Sequence, residues 1–416
     1  MNGRDGTKKR HAAESIKSWY RSRVHLSLGG ICLGSVGLAE LFGVICEIHD
    51  LDWRFKTSVK VPFYTISAFF GALVVFRAIV CMNDFLIELR EPKWMSTYGS
   101  LIMGLALLFS SLSKASSNFY ELSRVCLWFI ASIEVCVVAI FLLSCWNTSL
   151  KPEPIYFPGT VSLAIVSMVG PQVDFPRWLI EITFWGGILL CIMILPICFV
   201  RAVRNADGIS EVPTVSIMQA PSSFLAVAWF AMDGSSWVGC DDAIIGILFA
   251  CSTFFFVSTV MCIVARRQKI FSRFDPGFAG FTFPTVSTVR TMVLYAERQS
   301  NDRMFGKILR RIAAIYAILL IPMIAFIICY FLYVFMFCPA RLFGTNVGKV
   351  RAAAAEEPNG HREACICVTT TPSDGLQLAS TPPPKEPRDC IATACTGSGG
   401  LDIATAGDGD FGYTPA

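Results

Sequence analysis

Charge is what the chain has least of. Only 16% of its 416 residues are Asp, Glu, Lys or Arg, against about a quarter in an ordinary soluble domain. That is too little polar side chain to clothe a water-exposed surface of this length. Histidine is scarcer still: His11, His25, His49 and His361 make up the full set of 4. All lie outside the apolar runs, so metal chemistry within a membrane has few ligands to draw on. No cluster of His or acidic residues stands at the end of an apolar run, as a membrane-embedded transferase would need, and Asp241-Asp242 alone is too little. An enzyme and a cofactor are therefore not expected. The first 25 residues hold no short apolar core followed by a small-residue cleavage site, so no cleavable signal peptide is expected. The apolar runs do not alternate with period two, which speaks against a transmembrane β-barrel. A net charge of +4 gives no reason to expect a nucleic-acid partner.

Apolar residues are abundant: 54% of the chain, with a mean hydropathy of +0.56. Runs of the length that spans about 30 Å of hydrocarbon recur throughout. They predict an all-α membrane protein in a lipid bilayer with ten transmembrane helices, at 27–46, 62–82, 95–112, 122–146, 155–171, 177–200, 213–232, 242–264, 277–296 and 308–336. Cysteine is frequent (17 residues), but Cys81, Cys136, Cys191 and Cys251 fall inside these runs, where cysteine behaves as a small hydrophobe. No disulfide framework is expected.

Three regions follow. Residues 1–25 form a basic arm with Lys8, Lys9, Arg10, Lys17, Arg21 and Arg23; 26–337 hold the ten spans; 338–416 are rich in Ala, Gly, Pro and Thr. That tail is too poor in apolar residues to offset ordering and reads as disordered, so Cys365-Ile366-Cys367 in it reads as unstructured. The Lys/Arg bias places both termini in the cytoplasm. One connection disagrees: Arg298, Arg303, Lys307, Arg310 and Arg311 fall on the outside in a ten-span topology. Asn147-Thr148-Ser149, a glycosylation-type triplet, falls inside and reads as a turn.

Backbone-breaking residues concentrate in the odd-numbered spans. Gly29, Gly30, Gly34, Gly37 and Gly43 lie in the first, Gly99 and Gly104 in the third, Pro158, Gly159, Gly170 and Pro171 in the fifth. Pro213 and Pro221 lie in the seventh, Gly277, Gly280 and Pro284 in the ninth, with Gly186, Gly187, Pro196 and Pro322 as exceptions in even spans. Each glycine alone is accounted for by helix packing, as in Gly30-x-x-x-Gly34. The alternation over five pairs suggests five tandem helical hairpins, a kinked member of each facing a common axis and a straight one facing lipid. Irregular backbone at membrane depth is tolerated where it is buried in protein or lines a cavity.

Three stretches resemble the tellurite-resistance/dicarboxylate transporter family, which includes plant slow-type anion channels and malic acid and sulfite transporters. They are Glu211-Val212-Pro213-Thr214 with Ala220-Pro221-Ser222-Ser223 and Ala228-Trp229; Phe281-Thr282-Phe283-Pro284 with Tyr295-Ala296; and Glu88-Leu89-Arg90-Glu91-Pro92. Gly34-Ser35-Val36-Gly37-Leu38 is similar in spacing but lacks the family's preceding proline. The resemblance spans roughly residues 25–337. It implies five hairpins around a central pore, a homotrimer with one pore per subunit, and a phenylalanine from the ninth helix that occludes the pore. It implies small anions (chloride, nitrate or organic acid anions) as cargo, a plasma-membrane location, and termini open to a regulatory kinase.

On that alignment Phe283 is the gate and Phe281 its alternate. Gly34, Pro158, Gly159, Pro221, Ser222, Gly280, Pro284 and Ser287 line the pore. Thr214, Ser216, Ser222 and Ser223, with Thr285, Ser287 and Thr288, are the hydroxyls that reach the pathway or else bond back to their own helix. Arg290 is placed to concentrate anions near the constriction. Glu40 either pairs with a base such as Arg290 or faces the pore, in which case it couples transport to protons. Arg77 and Glu134 suit interhelical ion pairs. The expected activity is anion transport through a channel-like pathway. A proton-coupled carrier for malate-like C4-dicarboxylates and a sulfite exporter remain the alternatives, with a receptor or membrane enzyme behind them.

Overall fold

Hydrocarbon offers the backbone no hydrogen-bond partner, so each N–H and C=O must be satisfied within the protein, and a continuous apolar segment has the helix as its only solution. The computed structural model describes residues 14–20, 24, 26–89, 92–115, 117–148, 153–204, 212–234, 239–265, 267–268, 276–299 and 303–337. The tail beyond 337 and most of the basic arm lie outside the described residues. Among those described, all regular structure is helical.

After a short helical stretch over 14–20, the principal helices are α1 (Leu28–Ile48), α2 (Trp53–Val80), α3 (Met82–Glu88), α4 (Pro92–Ala115) and α5 (Tyr120–Thr148). A broken segment follows: a 3-10 turn at Pro154–Tyr156, α6 (Pro158–Val161), α7 (Ala164–Val169) and a second 3-10 turn at Gly170–Val173. Then come α8 (Arg177–Arg204), a 3-10 stretch at Val212–Gln219 leading into α9 (Ala220–Ala231), and α10 (Asp241–Ala265). A 3-10 stretch at Pro276–Phe281 leads into α11 (Thr282–Arg298), and α12 (Arg303–Phe337) closes the series.

Seven of these helices, α1, α2, α4, α5, α8, α10 and α12, are long and apolar enough to cross a membrane. The broken segment makes an eighth if its two halves, bent by 48°, count as one span. The expectation of ten is thus met only to this extent. The seventh and ninth segments are helical, but each begins as a 3-10 stretch, and their α-helical parts run for only 12 and 17 residues.

Proline position explains which segments are irregular. Pro158 and Pro221 stand in the first turn of α6 and α9, and Pro284 is the third residue of α11. Each stands at or just after the point where a 3-10 stretch gives way to α-helix, so the missing donor falls where the hydrogen-bond register changes, and the fixed φ suits an α-helix start. Pro62, Pro196 and Pro322, by contrast, lie inside α2, α8 and α12, which run on without interruption. The glycine-rich first and third segments also differ from the expected kink: α1 and α4 are single helices of 21 and 24 residues. An interior glycine costs a helix only about 1 kcal/mol, and lipid offers the freed backbone nothing better.

Glycine acts instead at contacts between helices. A β-carbon on Gly34 would fall 2.7 Å from Thr282 Cβ, and one on Gly99 would fall 2.8 Å from the Pro158 carbonyl carbon. These approaches join α1 to α11 and α4 to α6. With the contacts of α1 to α4, α4 to α7, α7 to α9 and α9 to α11, they close a ring of inner segments. The longer helices lie against this ring: α2 on α1 and α4, α5 on α4, α8 on α7 and α9, α10 on α9 and α11, α12 on α11 and α1. Burial divides the same way. The most apolar windows of α1 and α4 are 72% buried, whereas those of α2, α5, α8, α10 and α12 are between 17% and 39% buried. Phe129, Leu143, Ile192, Met261, Leu319 and Phe326 on the outward helices are exposed, which suits a surface solvated by acyl chains.

Gly99→Ala is expected to destabilise the protein by about 1–3 kcal/mol, because it presses on backbone that cannot swing aside. Gly246→Ala in α10, where a β-carbon would meet nothing within 4 Å, is expected to be neutral or stabilising by up to about 1 kcal/mol. Thermal unfolding of the two variants in detergent measures the difference.

Candidate functional site

The ninth segment sets two aromatic rings on opposite sides of one turn, since residues two apart lie about 200° apart around a helix. Phe281 stacks on Phe278, centroids 5.5 Å apart, within an apolar cluster built from α1, α2, α11 and α12. Phe283 belongs to the other cluster, built largely from α4 to α9. Its ring meets Phe224 of α9 edge-on at 5.4 Å and 68°. On its other flank a β-carbon at Gly37 of α1 would lie 3.6 Å from the Phe283 Cδ2. Phe283 therefore lies across the seam where α1, α9 and α11 meet, while Phe281 anchors α11 to the outer packing.

The other glycines and prolines singled out by sequence secure this geometry. A β-carbon on Gly280 would lie 2.8 Å from Ile217 Cγ1, which is how the two 3-10 stretches come together. Ser96 of α4 reaches into the broken segment: its Oγ accepts from the Gly159 N–H at 2.9 Å and donates to the Ile155 carbonyl at 2.5 Å. One hydroxyl thus satisfies two backbone groups that the break leaves open, including one at the start of α6 beside Pro158.

The hydroxyls divide into three kinds. Thr285 Oγ1 donates to the Phe281 and Thr282 carbonyls, both at 2.8 Å, and Thr288 Oγ1 to the Pro284 carbonyl at 3.0 Å. These bond back along their own helix. Ser223 and Ser287 do so too, but their hydroxyls also meet each other across α9 and α11 at 2.7 Å. Thr291 Oγ1 adds a bond to the Ser223 carbonyl at 2.9 Å, completing a polar latch. The third kind is buried with no hydrogen-bond partner among the described residues: Ser222 in α9, Ser35 in α1, Ser162 between α6 and α7, and Ser252 and Thr259 in α10. Buried hydroxyls left open in this way call for a partner such as water or an ion. Of the five, only Ser222 was singled out in the sequence. Ser216 is buried as well, and the side chain of Thr214 lies outside the described residues.

Beyond Phe283 along α11, by seven residues or about 10 Å, the character changes from apolar to charged. Glu40 of α1 faces Lys60 of α2, whose Nζ is 3.3 Å from both carboxylate oxygens. It also accepts from Tyr64 Oη at 2.6 Å and Ser111 Oγ at 3.4 Å. The Glu40 side chain is 41% exposed, though Ala39 and Leu41 beside it are fully buried. Gly43 clears the way, since a β-carbon there would lie 2.6 Å from Lys60 Nζ. Glu47, one turn beyond Gly43, binds Lys56 at 2.5 Å and Arg290 of α11 at 3.3 Å. Lys114 of α4 interacts by charge with Glu40, Glu47, Lys60 and Arg290, yet no ion pair is formed by it among the described residues. Four cations from α2, α4 and α11 thus surround two carboxylates from α1, leaving positive charge in excess.

The expected partner of Glu40 was a base such as Arg290; the base is Lys60, and Arg290 is held by Glu47. Arg77 has its interhelical pair, a two-pronged contact with Glu88 of α3 at 2.8 and 2.5 Å, with Tyr98 Oη donating to the same carboxylate at 3.0 Å. Glu134 differs from the expectation. It is fully buried in α5, neither of its oxygens has a hydrogen-bond partner, and Ser162 is the polar group beside it. Of the basic residues around the α11–α12 connection, Arg298 at the end of α11 pairs with Asp242 at 3.2 Å, and Arg310 in α12 with Glu297 at 3.9 Å. None of the Lys60, Lys114, Glu47 and Ser96 roles carries a local sequence signal, because each joins residues far apart in the chain.

Removing the latch in steps, with Ser223→Ala, Ser287→Ala and the pair together, is expected to give a coupling energy of about 1 kcal/mol in a double-mutant cycle read by unfolding in detergent.

The voltage-dependent anion channel (SLAC1) family model matches residues 23–338, well over half of the chain. No curated protein gives a significant match. The chain belongs to the voltage-dependent anion channel family, whose broad activity is anion transport across a membrane, and its seven or eight apolar helices are those of a membrane protein.

Proposed function

Starting from that family, we propose that the protein is a channel-like anion pathway along the seam of α1, α9 and α11, closed by the ring of Phe283. One observation carries this reading: a buried aromatic ring held between Phe224 and Gly37, with an excess of positive charge about 10 Å further along the same helix. An apolar ring in a narrow passage excludes water and imposes a dewetting barrier. Cations beyond it raise the local concentration of anions. Ser222, with the unpartnered Ser35, offers hydroxyls that replace part of an anion's hydration without holding it tightly.

The seventh and ninth segments are then the two remaining crossings of a ten-span, five-hairpin protein, and the closed ring of inner contacts supports that count. Gly34, Pro158, Gly159, Pro221, Gly280, Pro284 and Ser287 shape the pathway wall by setting how closely the inner segments approach. Lys60 and Tyr64 on Glu40 support a role for that carboxylate in fixing cations, and a channel over a proton-coupled mode. Small anions such as chloride, nitrate or organic acid anions are the cargo. Cytoplasmic termini, a homotrimer, a plasma-membrane location and a kinase acting on the termini complete the proposal. A second reading, a proton-coupled dicarboxylate carrier, draws on Glu134, a membrane-depth carboxylate without a cation partner of the kind that proton relays use.

Phe283→Ala is expected to raise anion conductance about tenfold, equivalent to about 1.4 kcal/mol off the barrier. Phe281→Ala is expected to lower stability without that gain, and Arg290→Ala to lower conductance at low anion concentration. Recordings from oocytes or liposomes, with surface amount controlled, test all three. An unchanged Phe283→Ala current removes the ring from the gate, and a current that vanishes without a proton gradient favours the carrier.

A further inference from the structure

Glu47 is the carboxylate that neither the sequence nor the pathway reading accounts for. It stands in the last turn of α1, where unsatisfied carbonyls make negative charge locally unfavourable. What holds it there comes from elsewhere: Lys56 of α2 at 2.5 Å and Arg290 of α11 at 3.3 Å. All three side chains stay open to solvent, Glu47 at 48%, Arg290 at 36% and Lys56 at 30% exposed. Glu40 differs, being tied by Lys60, Tyr64 and Ser111 together.

We propose that Glu47 is a tethered competitor. Its carboxylate occupies an anion-binding site made by Arg290 and Lys56, and a free anion enters that site by displacing it. The inference rests on the anion-pathway reading and adds an occupant to one end of it. A solvent-open ion pair shifts an equilibrium by no more than about fivefold, so the tether is weak enough to yield to a small anion at moderate concentration. The ligand is a small monovalent anion, and formate, which reproduces the group it replaces, is the fitting probe. Displacement leaves Glu47 free to swing into water from the end of α1. Lys114, which forms no ion pair among the described residues, interacts by charge with Arg290 and Glu47 and adds to the positive field that an arriving anion meets. The arrangement limits occupancy when anions are scarce and keeps Arg290 from trapping them, since passage requires weak binding.

The test compares wild type, E47Q, R290Q and the double variant, purified at full length. Formate binding is followed by calorimetry in detergent, and formate and chloride currents are recorded after reconstitution. E47Q is expected to tighten formate binding about threefold and to lower the half-saturating concentration of the current by a similar factor. In the R290Q background the same change is expected to have a smaller effect, since only Lys56 is then left for it to free. If E47Q weakens binding or lowers current as R290Q does, Glu47 positions Arg290 and the proposal fails. If E47Q changes neither quantity, the proposal fails as well. If no variant passes anions while E47Q still binds formate more tightly, the competitor stands and the pathway reading falls.

Discussion

A peptide group in hydrocarbon cannot turn to water, and most of what this protein does with its backbone follows from that. The outward helices keep their hydrogen bonds to themselves and run unbroken for 25 to 35 residues, even across Pro62, Pro196 and Pro322. Along the inner segments, the breaks and 3-10 stretches are packed against other protein groups. The break between α6 and α7 is tolerable because Ser96 crosses from α4 to serve Gly159 and Ile155. The 3-10 stretches before α9 and α11 lie against each other, so their loose ends face protein and not lipid.

The same confinement governs charge. Most cations near the ring have a counter-charge from a different helix, Glu40 for Lys60, Glu47 for Arg290 and Lys56, and Glu88 for Arg77, while Lys114 forms no ion pair among the described residues. These pairs fasten α1 to α2 and α11, and α2 to α3, as well as neutralising charge. Glu134 and Ser162 stand outside the pattern, a carboxylate and a hydroxyl facing each other at the one place where an inner segment changes direction.

Much of this architecture was legible in the sequence, and the reason is composition. Apolar runs of span length can only be helices in lipid, and the uneven distribution of Gly and Pro anticipated which of them would be wrapped by the others. The form of the irregularity was less legible. A proline in the first turn and one in the middle of a helix look alike as letters, so Pro284 and Pro196 could not be told apart. Glycine was expected to bend α1 and α4, whereas it lets them touch their neighbours. The separation of Phe281 from Phe283 was anticipated from helical periodicity, but which cluster each ring joins depends on α12 and α9. Pairings such as Arg290 with Glu47 join residues 243 positions apart, and no local pattern announces them.

The closing of the ring has a consequence for how the chain is made. α1 leaves the ribosome before the other helices of the ring, yet two of its neighbours, α11 and α12, come after all the rest of the described helices. Until α11 has been made, the face of α1 that carries Gly34 and Gly37 lacks Thr282, Phe283 and Val286 against it, and Glu47 has no Arg290. The earliest helix therefore waits through nearly the whole of membrane insertion with its most specific surface against lipid. It is there, at the face of α1 that waits for α11, that assembly is most open to error or to assistance.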